Sequence, residues 1–311
     1  MDYLADYLSY GEPLIVAHQP GETAGQQRKG NIMRVWFITG ASRGFGALIA
    51  EAALKAGDAV VATARDPNTV TARLGTHERL LASRLDVISE GEAHEAAGQA
   101  VKKFGRIDIL VNNAGYGLLG AIEEASAAET AKLFGTNVFG LLGVTRAVLP
   151  HMRRQRSGHV INISSVGGYA GYPGWGVYGA TKFAVEGISE ALAGEVAPLG
   201  IKVTVVEPGF FRTDFLDESS LARTAQHIDD YSESVGNTRA HAADVNHGQR
   251  GDPRKLASAF IALVNAKNPP LRLPLGSDTV ERIEAKNAFV AKELTEWRSV
   301  ATSTDFTEEA A

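Results

Sequence analysis

The feature that most restricts the fold is the run Thr-Gly-Ala-Ser-Arg-Gly-Phe-Gly at positions 39–46. It follows a short β-rich apolar stretch at 33–38 and leads into helical periodicity at 47–55, which Gly57 closes as a C-terminal cap. A strand that turns on glycine into a helix is the context in which this otherwise weak pattern becomes specific. Gly40 permits the tight turn, while Gly44 and Gly46 remove side chains where the helix and an anion approach the backbone. The N–H groups of the helix start, in a loop that also carries Ser42, Arg43 and Phe45, then face that anion. The run is expected to hold the pyrophosphate of a dinucleotide; a turn that binds nothing is the alternative.

Further strands are predicted at 60–63, 80–85, 107–111, 159–163 and 201–206, and helices at 92–104, 127–153 and 177–197. Such alternation predicts an α/β fold, a Rossmann-type doubly wound parallel sheet in a single domain with right-handed crossovers. After Pro208 the texture changes. Positions 211–245 are polar and helical with no clear strand, so about 210–250 is read as a helical C-terminal lid. Asp252-Pro253 opens a helix to 265, with Asp as cap and Pro in the first turn. A short strand at 271–273 and an amphipathic helix at 276–297 follow. The domain is therefore placed at 33–298, between a loosely ordered extension at 1–32 and a polar tail at 299–311. Met33 stands directly before the first strand and is a candidate for the original start.

Composition narrows the function classes. The net charge of −5 gives no reason to expect nucleic acid or an anionic membrane surface. With no cysteine there is no disulfide, no thiolate catalysis and no cysteine-bound metal, and no metal site is expected. The lack of cysteine fits a reducing compartment, and a cytoplasmic location is expected. No apolar run in the sequence approaches the roughly 20 residues of a membrane helix. The basic run Arg153, Arg154, Arg156 reads as cations at the C-terminal end of a helix.

An acidic residue at the end of the second strand would select NAD, whereas arginine accommodates a 2′-phosphate. Here the strand ends in Thr63-Ala64-Arg65, and Arg43 adds a second guanidinium, so NADP(H) is expected over NAD(H). Tyr178 and Lys182 sit four apart at the start of a predicted helix, on one face. A nearby ammonium is expected to stabilise the phenolate and lower its pKa from about 10 toward working pH. The phenol then passes a proton to or from a carbonyl oxygen. Ser165, or its neighbour Ser164, ends a strand at the same carboxyl edge, where open α/β sheets bind ligands. Asn112-Asn113-Ala114-Gly115 ends another strand there. Asn137, a poor helix former flanked by Gly135 and Gly140, suggests a bend or an inserted water.

Together these residues resemble the short-chain dehydrogenase/reductase family, in the branch with TGxxxGxG, NNAG, Asn, Ser and YxxxK. The resemblance covers 33–213 well and the C-terminal third loosely. It implies that Ser165 rather than Ser164 is the active serine, and that Tyr178 and Lys182 also bind the nicotinamide ribose. It implies that Asn137 holds a proton-relaying water, and that Asp86 and Val87 flank the adenine beside Asn113, Ala114 and Gly115. Pro208, Gly209, Phe211 and Thr213 would meet the nicotinamide end. Within the family the chain looks similar to 17β-hydroxysteroid dehydrogenases, although Glu207 stands where many relatives have asparagine.

Tyr116, Phe210, Phe215 and Leu216, with Leu118 and Leu221, are expected to give the pocket apolar bulk for a hydrophobic ketone or aldehyde. A cofactor-binding sensor without turnover, or an epimerase or dehydratase using the cofactor transiently, are the other readings. The resemblance also implies a homodimer or homotetramer paired through the helices at 127–153 and 177–197.

Overall fold

Four strands, Val35–Ile38 (β1), Ala59–Ala64 (β2), Ile109–Asn112 (β4) and Gly158–Ile163 (β6), are buried almost throughout, which explains their near-continuous apolar runs. The computed structural model describes residues 33–306; the extension at 1–32 lies outside the described residues. With Leu80–Arg84 (β3), Ile201–Pro208 (β7) and Arg272–Leu275 (β9) these strands form one sheet in the order β3-β2-β1-β4-β6-β7-β9. Every pairing in it is parallel. The chain works outward from β1 to one edge and then returns to build the other half from β4. A crevice therefore opens between the carboxyl ends of β1 and β4.

Successive residues of a strand point to opposite faces, so each strand feeds two cores. Val35 and Phe37 join Ala93 and Ala97 of Glu90–Phe104 (α3), Val144 and Val148 of Leu141–Gln155 (α5), and Leu192 of Gly176–Val196 (α6). Trp36 and Ile38 join Ile49 and Ala53 of Gly44–Lys55 (α1) and Leu256 and Phe260 of Pro253–Asn265 (α8). The doubly wound fold follows from this division.

Several boundaries differ from the sequence reading. The helix expected at 127–153 is Ala127–Phe134 (α4), a π-helical turn Gly135–Gly140, and then α5. By length and mean hydropathy, 1.3, the stretch 127–155 does pass for a membrane span, but 56% of that apolar window is buried inside the fold as core. Positions 211–245 do contain a strand: Leu221–Arg223 (β8) pairs in parallel with Gly117–Leu119 (β5). Three residues are too few to show alternation, so no sequence signal marked either strand. A helix at Pro67–Leu74 (α2) was also unforeseen, although Asp66 caps it by accepting from the Asn68 N–H at 3.0 Å. The lid adds the short helix Asn237–Asp244 (α7). The last helix, Ser277–Thr302 (α9), runs past the point where a polar tail was expected to begin.

Candidate active site

The glycine turn and the turn after β4 are built as one piece. The Thr39 hydroxyl accepts from the Asn113 and Ala114 N–H groups at 2.9 and 3.0 Å. The Asn113 amide in turn donates to the Thr39 and Gly40 carbonyls at 2.8 and 3.1 Å. Asn113 thus spends its side-chain amide holding the loop, which fixes its backbone at the mouth of the crevice. Gly40 and Gly44 have φ of +66° and +55°, the left-handed region that favours glycine. A Cβ on Gly46 would land on the Gly40 carbonyl oxygen, whereas Gly44 faces open space. Arg43 is the N-cap of α1 and makes no side-chain cap, so no side chain competes for the free N–H groups of that first turn. A glycine cradle at an uncapped helix start fits a dinucleotide pyrophosphate.

The next groups converge at the carboxyl ends of β4 and β6. Ser165 begins the short turn Val166–Gly168, accepting from the Gly167 N–H at 3.1 Å, and its hydroxyl reaches the Tyr178 phenol. Ser164 turns the other way and donates to the Lys182 carbonyl at 3.5 Å, which separates the two candidate serines. Lys182 Nζ donates to the Ile163 carbonyl at 2.9 Å and lies 5.7 Å from the Tyr178 ring centroid. Asn137 lies in the π-helical turn, a feature often found at functional sites. Its amide donates to the Tyr116 carbonyl at 2.9 Å and to Thr181 Oγ1 at 3.2 Å, and its oxygen accepts from the Tyr116 N–H at 3.1 Å. The Asn137 side chain is therefore fully engaged in tying the loop after β4 to α6. Gly115 lies where a Cβ would sit 3.0 Å from Asn137 Oδ1 and 3.8 Å from Lys182 Nζ, which places those two residues around one point.

The short chain dehydrogenase family profile matches residues 34–224, well over half of the chain. The chain belongs to the short-chain dehydrogenase family. Among relatives it is 38% identical over 270 residues to oxidoreductase BOA17 of Botryotinia fuckeliana, covering 86% of this chain and 98% of that one. It is 40% identical over 244 residues to a 3-ketodihydrosphingosine reductase of Bacteroides thetaiotaomicron, covering 78% and 88%. Among solved structures, a short-chain dehydrogenase from Streptomyces avermitilis is 42% identical with a TM-score of 0.82, covering 89% of this chain and all of that one. A serine dehydrogenase complexed with NADP+ follows at 29% identity, TM-score 0.64, covering 78% and 94%. A 3-ketoacyl-(acyl-carrier-protein) reductase from Brucella melitensis complexed with NADH is 27% identical, TM-score 0.65, covering 78% and 96%. As a short-chain dehydrogenase the chain is an oxidoreductase that works with a nicotinamide nucleotide.

In this short-chain dehydrogenase the electrostatics of the pair differ from the sequence reading. Burial pushes the Tyr178 phenol up to about 12, and the Ser165 hydroxyl opposes only part of that. The expected lowering by Lys182 does not prevail: the ammonium donates to the Ile163 carbonyl and stands over the face of the Tyr178 ring, and burial sets the direction of the phenol's shift. Burial also pushes Lys182 down to about 8, while the charge of Glu186 acts to raise it.

The arginines find partners of their own. Arg43 donates to the Ser219 carbonyl at 2.5 Å and to Ser220 Oγ at 2.9 Å, tying the glycine turn to the segment after β7. The cation beside Arg65 is Arg84, whose guanidinium donates to the Arg65 carbonyl at 3.1 Å and lies 3.3 Å from Glu92. The β2–β3 register, Ala64 opposite Arg84, brings it there, and one strand's sequence cannot show what its neighbour places alongside. Ser42 is in the turn as expected. Asp86, at the end of β3, donates its N–H to the Glu92 carboxylate at 2.7 Å, and Val87 lies against Gly140 of the π-helical turn.

At the other end, the Gly209 N–H donates to the Leu275 carbonyl, following Pro208 at the end of β7. Phe211 stands edge-on to Phe45 of the glycine turn at 5.5 Å, and Thr213 caps the turn Asp214–Leu216. Of the four residues expected to line a pocket, two surround the phenol. Phe215 lies 5.7 Å from the Tyr178 ring, and Tyr116 packs in the same cluster with Leu118. Leu216 instead packs with Leu119, Leu221 and Ala242, and Phe210 faces His241 and Arg282. Trp175, 5.7 Å from the Tyr178 ring, was missed. Its position three residues before Tyr178, one helical turn, was the available signal.

Proposed function

We propose that this short-chain dehydrogenase is NADP(H)-dependent and interconverts a ketone or aldehyde with its alcohol on an apolar substrate. The observation that carries the reading is the meeting of the Ser165 hydroxyl, the Tyr178 phenol and the Lys182 ammonium beneath Trp175 and Phe215. The 39–46 turn would hold the pyrophosphate, with Arg43, Arg65 and Arg84 at the 2′-phosphate and Asp86 and Val87 at the adenine. Lys182 and Tyr178 would meet the ribose, and Pro208, Gly209, Phe211 and Thr213 the nicotinamide end. When bound, the cofactor supplies or accepts the hydride. Ser165 donates to the substrate oxygen and holds it beside Tyr178, whose phenol gives up its proton there. Burial keeps the phenol protonated at neutral pH, the form that donates when a carbonyl is reduced; in the reverse reaction the same oxygen takes the proton back. The aromatic rings exclude water from the reacting carbonyl. A relative that is by name a ketone reductase supports this substrate class.

Self-association through α4–α5 and α6 belongs to the same reading, supported by Phe139 and Phe183, which are 62% and 46% exposed. So does a cytoplasmic location. The test is NADPH oxidation with a panel of apolar ketones and aldehydes, wild type beside Tyr178→Phe. The variant is expected to lose kcat by about a hundredfold or more while still binding NADPH. Equal turnover by both proteins, or tight NADPH binding with no turnover by wild type, would overturn the assignment.

A further inference from the structure

Behind Lys182, on the side away from Tyr178, three elements bring together more carboxyl groups than cations. Glu186 lies one turn after Lys182 on α6, and Glu190 one turn further. Glu207 comes from β7 and is fully buried; Glu186 is 6% exposed. Arg272, on the edge strand β9, makes its direct bond to Glu190, Nη2 to Oε2 at 2.9 Å. Its Nε is 3.4 Å from Glu186 and 3.7 Å from Glu207. The Ser164 hydroxyl approaches Glu186 from the end of β6. The groups facing one another are thus two cations, Lys182 and Arg272, and three carboxyls, Glu186, Glu190 and Glu207.

The cation is best bonded to the most exposed of the three carboxyls. No well-directed hydrogen bond reaches any of the four oxygens of Glu186 and Glu207. Two facing carboxylates are both acceptors, repel one another and leave those oxygens unsatisfied inside the protein. One proton removes each difficulty, because it makes one group a donor to the other and cancels one buried charge.

We propose that Glu207 and Glu186 share a single proton, carried on Glu207 and donated to Glu186, and that they act as positioning residues for Lys182 by presenting one negative charge to its ammonium. Burial, reinforced by the Glu186 charge, pushes Glu207 up to about 7, so the proton is held into the neutral range. Burial pushes Glu186 up as well, with Ser164, Arg272, Glu207 and Lys182 all acting against it, which is why Glu186 is the partner that carries the charge. That charge opposes the fall that burial imposes on Lys182. This inference rests on the proposed role of Lys182 for its kinetic consequence alone.

The test has two readouts that need no turnover. Infrared difference spectra of wild type near neutral pH should contain the carbonyl stretch of a protonated, buried carboxyl, and Glu207→Gln should lack it. In protein labelled at the lysine side-chain nitrogen, NMR titration of Lys182 should move to lower pH by about one unit in Glu186→Gln. Glu207→Gln, which keeps an N–H donor toward Glu186, should move it less. No protonated carboxyl in wild type, or a Lys182 titration indifferent to Glu186→Gln in a protein with a normal melting transition, overturns the proposal. The alkaline limb of kcat/KM should follow the Lys182 titration. If the spectroscopic results hold and the kinetics do not follow, the pair stands and the assigned role of Lys182 in turnover falls.

Discussion

At the lid, Glu124 lies fully buried beside Arg239; at the sheet edge, Glu207 lies fully buried within reach of Arg272. Burial alone would raise both carboxyls. Glu124 is nevertheless held below the usual carboxylate range, because the Ile228 and Ala121 N–H groups donate to it at 2.9 and 2.7 Å and Arg239 pairs with it directly. Glu207 has no such donors, shares Arg272 with two other carboxyls, and is raised. The same two residue types thus make a permanent ion pair in one place and a proton-holding site in the other. What differs is the count of donors per charge, which is the quantity that decides whether a buried charge survives. The functions suit the difference. Glu124 joins the loop after β5 to the segment after β8 and to α7, where a fixed clasp is needed, and Glu129 adds to it by accepting from the Ala225 N–H at 2.9 Å.

Removing each cation should separate the two sites most. Arg239→Met leaves Glu124 buried and unpaired, and chemical denaturation should show a loss of about 3–5 kcal/mol. Arg272→Met should cost less, about 1–2 kcal/mol, because the Glu186–Glu207 pair can take up another proton instead of remaining charged. Equal losses in the two variants would mean that both sites are ordinary ion pairs. The pH dependence of stability should then run in opposite directions. Glu124, lowered in the folded protein, contributes stability that is present above the unfolded value of about 4.3 and lost as pH falls. Glu207, raised to about 7, contributes stability that is present below the unfolded value and lost as pH rises through about 7. Glu207→Gln should therefore flatten the wild-type decline between pH 5 and 8, removing a slope of at most about 1.4 kcal/mol per pH unit. A decline that persists unchanged in the variant would assign it to another group.

Much of the site was legible before folding was considered. The glycine turn, the Asn-Asn-Ala-Gly turn, Ser165 and the Tyr178–Lys182 pair all sit at strand ends or helix starts, and spacing along the chain reveals such places. Asn137 was flagged because asparagine between glycines does not suit a regular helix, and the chain does form a π-helical turn there. Residues that meet only across elements were not legible. Arg84 reaches Arg65 through the β2–β3 register, Asn113 braces the glycine turn, and Arg43 bonds the segment after β7.

The sequence by itself determined the parallel α/β architecture, because apolar period and glycine punctuation are local properties of the chain. It also pointed to the carboxyl edge of the sheet as the place of the proposed site. Only the tertiary structure decided the protonation states. Burial raises Tyr178 with only the Ser165 hydroxyl opposing it, and the state of Glu207 depends on Glu186 and Arg272, drawn from two other elements. Desolvation and hydrogen-bond supply are set by everything packed around a group, and no stretch of chain contains its own surroundings.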